Sequence, residues 1–152
     1  MYSVDQSSLV SAYSNFFGSW PWDHYDTFTF GRRLSESTCR HHWGEFIDSL
    51  GRLTHGRVVW VRADERRWSG CASPEIPLHY HAPLKYQHVP AAEAVAGLWK
   101  TRAGDARVEA YNPGGGAAYY IAKMFPYGET RYDTGGLEHF ARLPESHRSF
   151  VQ

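Results

Sequence analysis

The apolar residues of this chain change their spacing along its length in a definite order, and that order limits the folds open to it. Residues 24–30 (HYDTFTF) combine β-branched and aromatic side chains and stop at Gly31, which predicts a strand. Cys39, Trp43, Phe46, Ile47 and Leu50 then recur every third or fourth position behind Ser35 and Ser37, either of which can cap a helix. Gly51 and Gly56 are expected to bracket a turn before a second strand at 57–65 (RVVWVRADE). A loop holding Gly70, Ser73 and Pro74 precedes a third strand at 78–86 (LHYHAPLKY), where Pro83 suggests a sheet edge or a bulge. Pro90 opens a short helix through Trp99, with Val95, Leu98 and Trp99 as its apolar contacts, and 105–111 (DARVEAY) is a fourth strand. After the turn at 113–116, residues 117–125 (AAYYIAKMF) have helical character and end at Pro126. Strand–helix–strand–strand–helix–strand plus one helix predicts an α+β, ferredoxin-like split βαβ domain. Its antiparallel sheet would carry helices mainly on one face.

A chain of 152 residues holds one such domain, and no repeat or polar linker divides it. The expected partition is an N-terminal extension at 1–22 packed on the domain, the domain at 23–140 and a tail at 141–152. No apolar run reaches the roughly 18–20 residues of a bilayer span, and residues 1–18 lack the features of a secretory signal. A cytoplasmic protein without membrane contact is therefore expected. Cys39 and Cys71 have no CxxC partner and are expected to be buried, reduced thiols.

The formal charge is zero, which argues against a strongly cationic nucleic-acid surface. The basic residues are mostly arginine, however, whose planar fork suits phosphate, and a local basic groove stays open to the chain.

Three groups of residues carry chemistry. In His79-Tyr80-His81 the two imidazoles are two apart on a strand, so they project to one face and can share a metal ion. Antiparallel pairing of strands 57–65 and 78–86 would bring Asp64 or Glu65 beside them. Two imidazoles and a carboxylate suit Mg²⁺ or Mn²⁺ acting as a Lewis acid on a phosphate. In Tyr119-Tyr120-Ile121-Ala122-Lys123, a helix would place both phenols near the lysine ammonium; helix geometry alone does not choose between them. Each motif has an ordinary reading: HxH by chance among nine histidines, a solvated acidic strand end, a tyrosine anchoring an interface.

Taken in order, DTFTF, VVWVRADE, LHYHAPL and AYYIAKM resemble the signatures of the HUH endonuclease superfamily, in the form found in rolling-circle replication initiator (Rep) catalytic domains. The resemblance covers about residues 20 to 127. It implies His79, His81 and Glu65 as metal ligands, Tyr120 as the nucleophile and Lys123 as the residue that helps position the phosphate. Phe28, Thr29 and Phe30 occupy the first motif. The implied activity is site-specific nicking and joining of single-stranded DNA through a 5′-phosphotyrosine intermediate, initiating rolling-circle replication of a plasmid or phage. Implied partners are single-stranded or hairpin origin DNA and, because the chain has no GxxxxGK[ST] loop, a host or replicon helicase acting in trans. Arg32, Arg33, Arg62, Arg66 and Arg67 are candidates for DNA-backbone contact and Trp68 for base stacking. A single-tyrosine HUH transposase and a non-catalytic ferredoxin-like nucleic-acid-binding module are the alternative readings.

Overall fold

A computed structural model describes residues 6–65, 79–116 and 131–142 of the chain. Its centre is a five-stranded antiparallel sheet in the order β4-β1-β3-β2-β5, built from β1 (His24–Thr29), β2 (Val58–Glu65), β3 (His79–Tyr86), β4 (Ala106–Ala110) and β5 (Arg131–Gly135). Helices α2 (Glu36–Thr54) and α3 (Ala92–Lys100) make the two crossovers, and α1 (Gln6–Gly18) precedes the sheet. β3 lies between β1 and β2, so the first strand–helix–strand unit is split. This is the expected α+β, ferredoxin-like arrangement, with β5 added at the β2 edge.

Strand alternation sorts side chains to the two faces of the sheet. Phe28, Phe30, Tyr80, Ala82, Leu84 and Tyr86 meet Cys39, Trp43, Phe46 and Leu50 of α2 and Val95 and Trp99 of α3 in the main core. Each large apolar side chain buried there contributes about 1.5–3 kcal/mol. Ser35 starts α2 by accepting a hydrogen bond from the Thr38 amide at 3.2 Å, a cap worth about 1 kcal/mol. The helix runs on through Gly51 to Thr54, and only His55, at φ 51°, closes it. Gly51 is thus inside the helix rather than at the predicted turn. The stretch around it still has an uninterrupted buried stripe through Leu50 and Thr54, which outweighs one glycine's weak helix propensity.

Pro83 also departs from expectation. It sits in β3, a central strand, opposite Tyr25 of β1, with the register unbroken from His24↔Leu84 to Thr29↔His79. On the other side β2 keeps one register from Val58↔Tyr86 to Glu65↔His79, so β3 carries no bulge. The ring costs one donor, and the flanking ladder on both sides holds the strand in place.

The second face is covered differently. Trp22, Val59, Val61 and Ala63 form a smaller cluster, against which Trp20, Tyr25, Tyr111, Tyr132 and Leu137 pack. Trp20 and Trp22 stack with their ring centres 5.6 Å apart. The segment expected as an extension at 1–22 therefore contains α1 and, through Trp22, part of a core. At the other end, a 3-10 helix over Leu137–Arg142 runs past the expected start of the tail at 141. Among the described residues no helix is long and apolar enough to cross a membrane. Cys39 is a buried free thiol, as expected; Cys71 lies outside the described residues.

Candidate functional site

The register of the five strands assembles a polar row on the second face. Across the sheet, Tyr132 is paired with Ala63, Ala63 with His81, His81 with Thr27, and Thr27 with Arg107. One step toward the end of the sheet, Glu65 is paired with His79 and His79 with Thr29. Because alternate residues share a face, Glu65, His79, His81, Thr27 and Thr29 all project to the same side.

These side chains touch. His81 Nε2 donates to Glu65 Oε2 across 2.6 Å, and both side chains are nine-tenths buried. The Nδ1 atoms of both histidines meet hydroxyls of the neighbouring strand: His81 with Thr27 Oγ1 at 3.2 Å, His79 with Thr29 Oγ1 at 3.0 Å. The Tyr25 ring lies nearly parallel to the His81 imidazole, 10° between planes and 6.4 Å between centres. Burial pushes the His79 imidazole below its ordinary pKa, and the neighbouring His81 charge adds to the depression against an opposing pull from Glu65. The shift favours the neutral ring, the form in which an imidazole binds a cation.

The end of β1 that carries Thr29 is anchored by the turn after α3. Trp99 Nε1 donates to the Thr29 carbonyl at 3.1 Å, the Thr29 amide donates to the backbone carbonyl of Asp105 at 2.8 Å and the Gly31 amide to that of Ala103 at 2.8 Å. A Cβ on Gly104 would stand 2.1 Å from the Thr29 carbonyl oxygen, so only glycine lets the turn come this close.

Strand parity separates the two acidic candidates at the end of β2. Asp64 faces the helices, where Arg62 Nε donates to its Oδ1 at 2.6 Å and Arg62 Nη2 to its Oδ2 at 3.2 Å. Burial raises the Asp64 pKa and the Arg62 hydrogen bond opposes that rise. Glu65 faces the histidines. Asp64 is thus committed to a structural ion pair, and Glu65 alone of the two belongs to the polar row.

That pairing also corrects one arginine. Arg62 was a candidate for DNA-backbone contact, yet it is only 2% exposed, with its guanidinium 4.4 Å from the centre of the Tyr80 ring and 5.5 Å from that of Trp43. Its even position in β2 turns it into the main core, so it is a core residue. Arg32 and Arg33 are exposed just beyond the Thr29 end of β1. Arg107, which sequence reasoning passed over, ends the His81 row on an exposed edge strand and donates to Glu109 at 2.8 Å. Thr27 was also missed; the signal was present as a second hydroxyl two residues before Thr29. Arg66, Arg67, Trp68, Tyr119, Tyr120 and Lys123 lie outside the described residues.

The row offers a mixed nitrogen and oxygen donor set to a divalent cation, with both Nδ1 atoms engaged by hydroxyls and His81 Nε2 turned to Glu65. The trio is co-facial without being closed: among the described residues no group of three His, Cys, Asp or Glu side chains stands in ready-made ligand geometry. Comparison of the chain with protein-family models, with characterised proteins and with solved structures gives no match.

Proposed function

We propose that this domain is a metal-dependent nickase and strand transferase for single-stranded DNA, of the HUH type, which starts rolling-circle replication. One observation carries the reading: Glu65, His79 and His81 share a face at one end of the sheet, with Glu65 and His81 in direct contact. Those three residues would hold Mg²⁺ or Mn²⁺, which when bound supplies Lewis-acid polarisation of the scissile phosphate.

The chain's own groups divide the remaining work. The His79 ring, favoured in its neutral form, and the nine-tenths buried Glu65 carboxylate make a partly desolvated corner in which the charge of a bound cation would be felt strongly. Arg32, Arg33 and Arg107 are exposed and would contact the DNA backbone in this reading, with the partly buried Tyr25 and Tyr132 rings as candidates for contact with bases. Tyr120 is the proposed nucleophile: its phenolic oxygen loses its proton and forms a bond to phosphorus, the bond from phosphorus to the 3′ oxygen breaks, that oxygen takes up one proton in return, and a 5′-phosphotyrosine results. Attack by a 3′-hydroxyl on that linkage reverses the step and rejoins strands.

The deciding experiment is incubation of the protein with labelled single-stranded origin candidates and Mn²⁺, followed by a denaturing gel. A covalent adduct that Tyr120→Phe abolishes, with DNA binding retained, is the expected result. Adduct formation by the Tyr120→Phe protein would move the nucleophile elsewhere, and binding without any adduct would make this a non-catalytic DNA-binding module.

A further inference from the structure

Thr27 and Thr29 make the same contact twice. Each stands directly opposite a histidine of β3, and each presents its hydroxyl to the same ring atom, Nδ1, at 3.2 Å from His81 and 3.0 Å from His79. A chance hydroxyl contact has no reason to recur at consecutive same-face positions with the same nitrogen. In series, Thr27 Oγ1, the His81 ring and Glu65 Oε2 also stand in the order hydroxyl, imidazole, carboxylate. Such a chain is the layout of a nucleophile with its base, but the Thr29–His79 pair repeats the hydroxyl contact in a different register row. A role common to both threonines is orientation of the rings.

We propose that Thr27 and Thr29 are positioning residues whose hydroxyls fix the ring orientation of His81 and His79 and keep Nε2 of each directed toward the Glu65 side. This rests on the reading of that corner as the metal site. The choice of hydroxyl has a physical reason. A threonine hydroxyl both donates and accepts, whereas a backbone carbonyl only accepts. While Nε2–H of His81 donates to Glu65, Nδ1 is the bare nitrogen and accepts a hydrogen bond from the Thr27 hydroxyl. When a cation takes the Nε2 lone pair, the ring proton resides on Nδ1 and donates to the Thr27 oxygen. The proton count of the ring is the same in the two tautomers, and the hydroxyl turns about its C–O bond to serve both. Threonine adds stiffness, since its branched Cβ restricts χ1 on a strand.

The substitution that isolates this role is valine, which keeps shape and strand preference and removes only the hydroxyl. Two readouts are needed. In metal-free protein labelled with ¹⁵N at histidine, long-range ¹H–¹⁵N spectra report the tautomer of each ring. Wild-type His81 is expected in the Nε2–H form, Thr27→Val is expected to show a mixture, and Thr27→Ser is expected to restore the single form. In the second readout, calorimetric titration with Mn²⁺, Thr27→Val and Thr29→Val are each expected to weaken Kd by about 10–100-fold, the usual cost of removing an outer-shell partner. An unchanged tautomer in Thr27→Val overturns the proposal whether or not metal binds. Valine variants that bind Mn²⁺ like wild type overturn it as well. Failure of the wild-type protein to bind Mn²⁺ overturns the metal reading, and the metal-free spectra still decide the role of the threonines.

Discussion

His81 and Glu65, sixteen residues apart in sequence, meet at 2.6 Å because β2 and β3 pair in a single register and both side chains fall on the same face. The neighbouring acid, Asp64, falls on the opposite face and is taken by Arg62. One residue of register thus divides a catalytic candidate from a structural one.

Replacing Glu65 by Gln keeps the size and removes the charge that a cation needs. Adduct formation with Mn²⁺ should fall at least 100-fold, whereas Asp64→Asn should act mainly on stability. Unfolding curves and denaturing gels on the two variants separate these effects, and wild-type nicking by Glu65→Gln protein would remove Glu65 from the site.

Arg62→Lys tests the correction to the DNA-contact set. Lysine cannot reproduce the two-pronged bond to Asp64 or the flat contact with Tyr80, so a loss of about 2–4 kcal/mol in urea unfolding is expected. Affinity of the folded variant for single-stranded DNA should match wild type, and its salt dependence should be unchanged. A reduced salt slope would return Arg62 to the DNA surface.

Lys85 and Asp23 form a second buried ion pair, with Lys85 Nζ donating to Asp23 Oδ1 at 3.1 Å and the Tyr86 amide donating to Oδ2 at 2.8 Å. Lys85→Met removes the ammonium and keeps the stem, leaving a buried carboxylate without that cation at a cost of about 3–5 kcal/mol. Asp23→Asn in the same chain should recover part of the loss. Additive losses in the double variant would show that the two side chains do not act as a pair.

Asp26 sets a pH dependence whose sign is opposite to that of a salt-bridged acid. It is fully buried in β1, its Oδ1 accepts the Glu109 amide at 3.3 Å, and its Oδ2 has no hydrogen-bond partner among the described residues. Burial raises its pKa well above 3.8, against the Glu109 amide bond and with the Glu109 charge adding to the rise. The native state therefore holds the proton over a range in which the unfolded chain has lost it. Stability from this group is fully present below 3.8 and is lost as pH rises through the raised native value. Asp26→Asn, which mimics the protonated acid, should match wild type near pH 3 and exceed it increasingly toward neutrality. Urea unfolding across that range checks it; a variant less stable than wild type at pH 7 would contradict the assignment.

The local patterns of the sequence carried most of the element order. Alternating β-branched and aromatic residues marked four of the five strands, and the stripe from Cys39 to Leu50 marked α2, because each pattern reflects a contact that the element itself must bury. β5 was not legible, since Arg131–Gly135 is short, polar and dependent on β2 for its hydrogen bonds. The common face of His79 and His81 was legible too, because strand alternation is a property of the backbone. Which acid joins them and which arginine leaves the surface required long-range packing. Strand parity says that Arg62 and Asp64 lie together, but only α2 and its aromatic residues, laid across the sheet, decide that their side is the interior. The same register brings Thr27 and Thr29 to the histidines from a strand some fifty residues away, a pairing with no local trace in the chain.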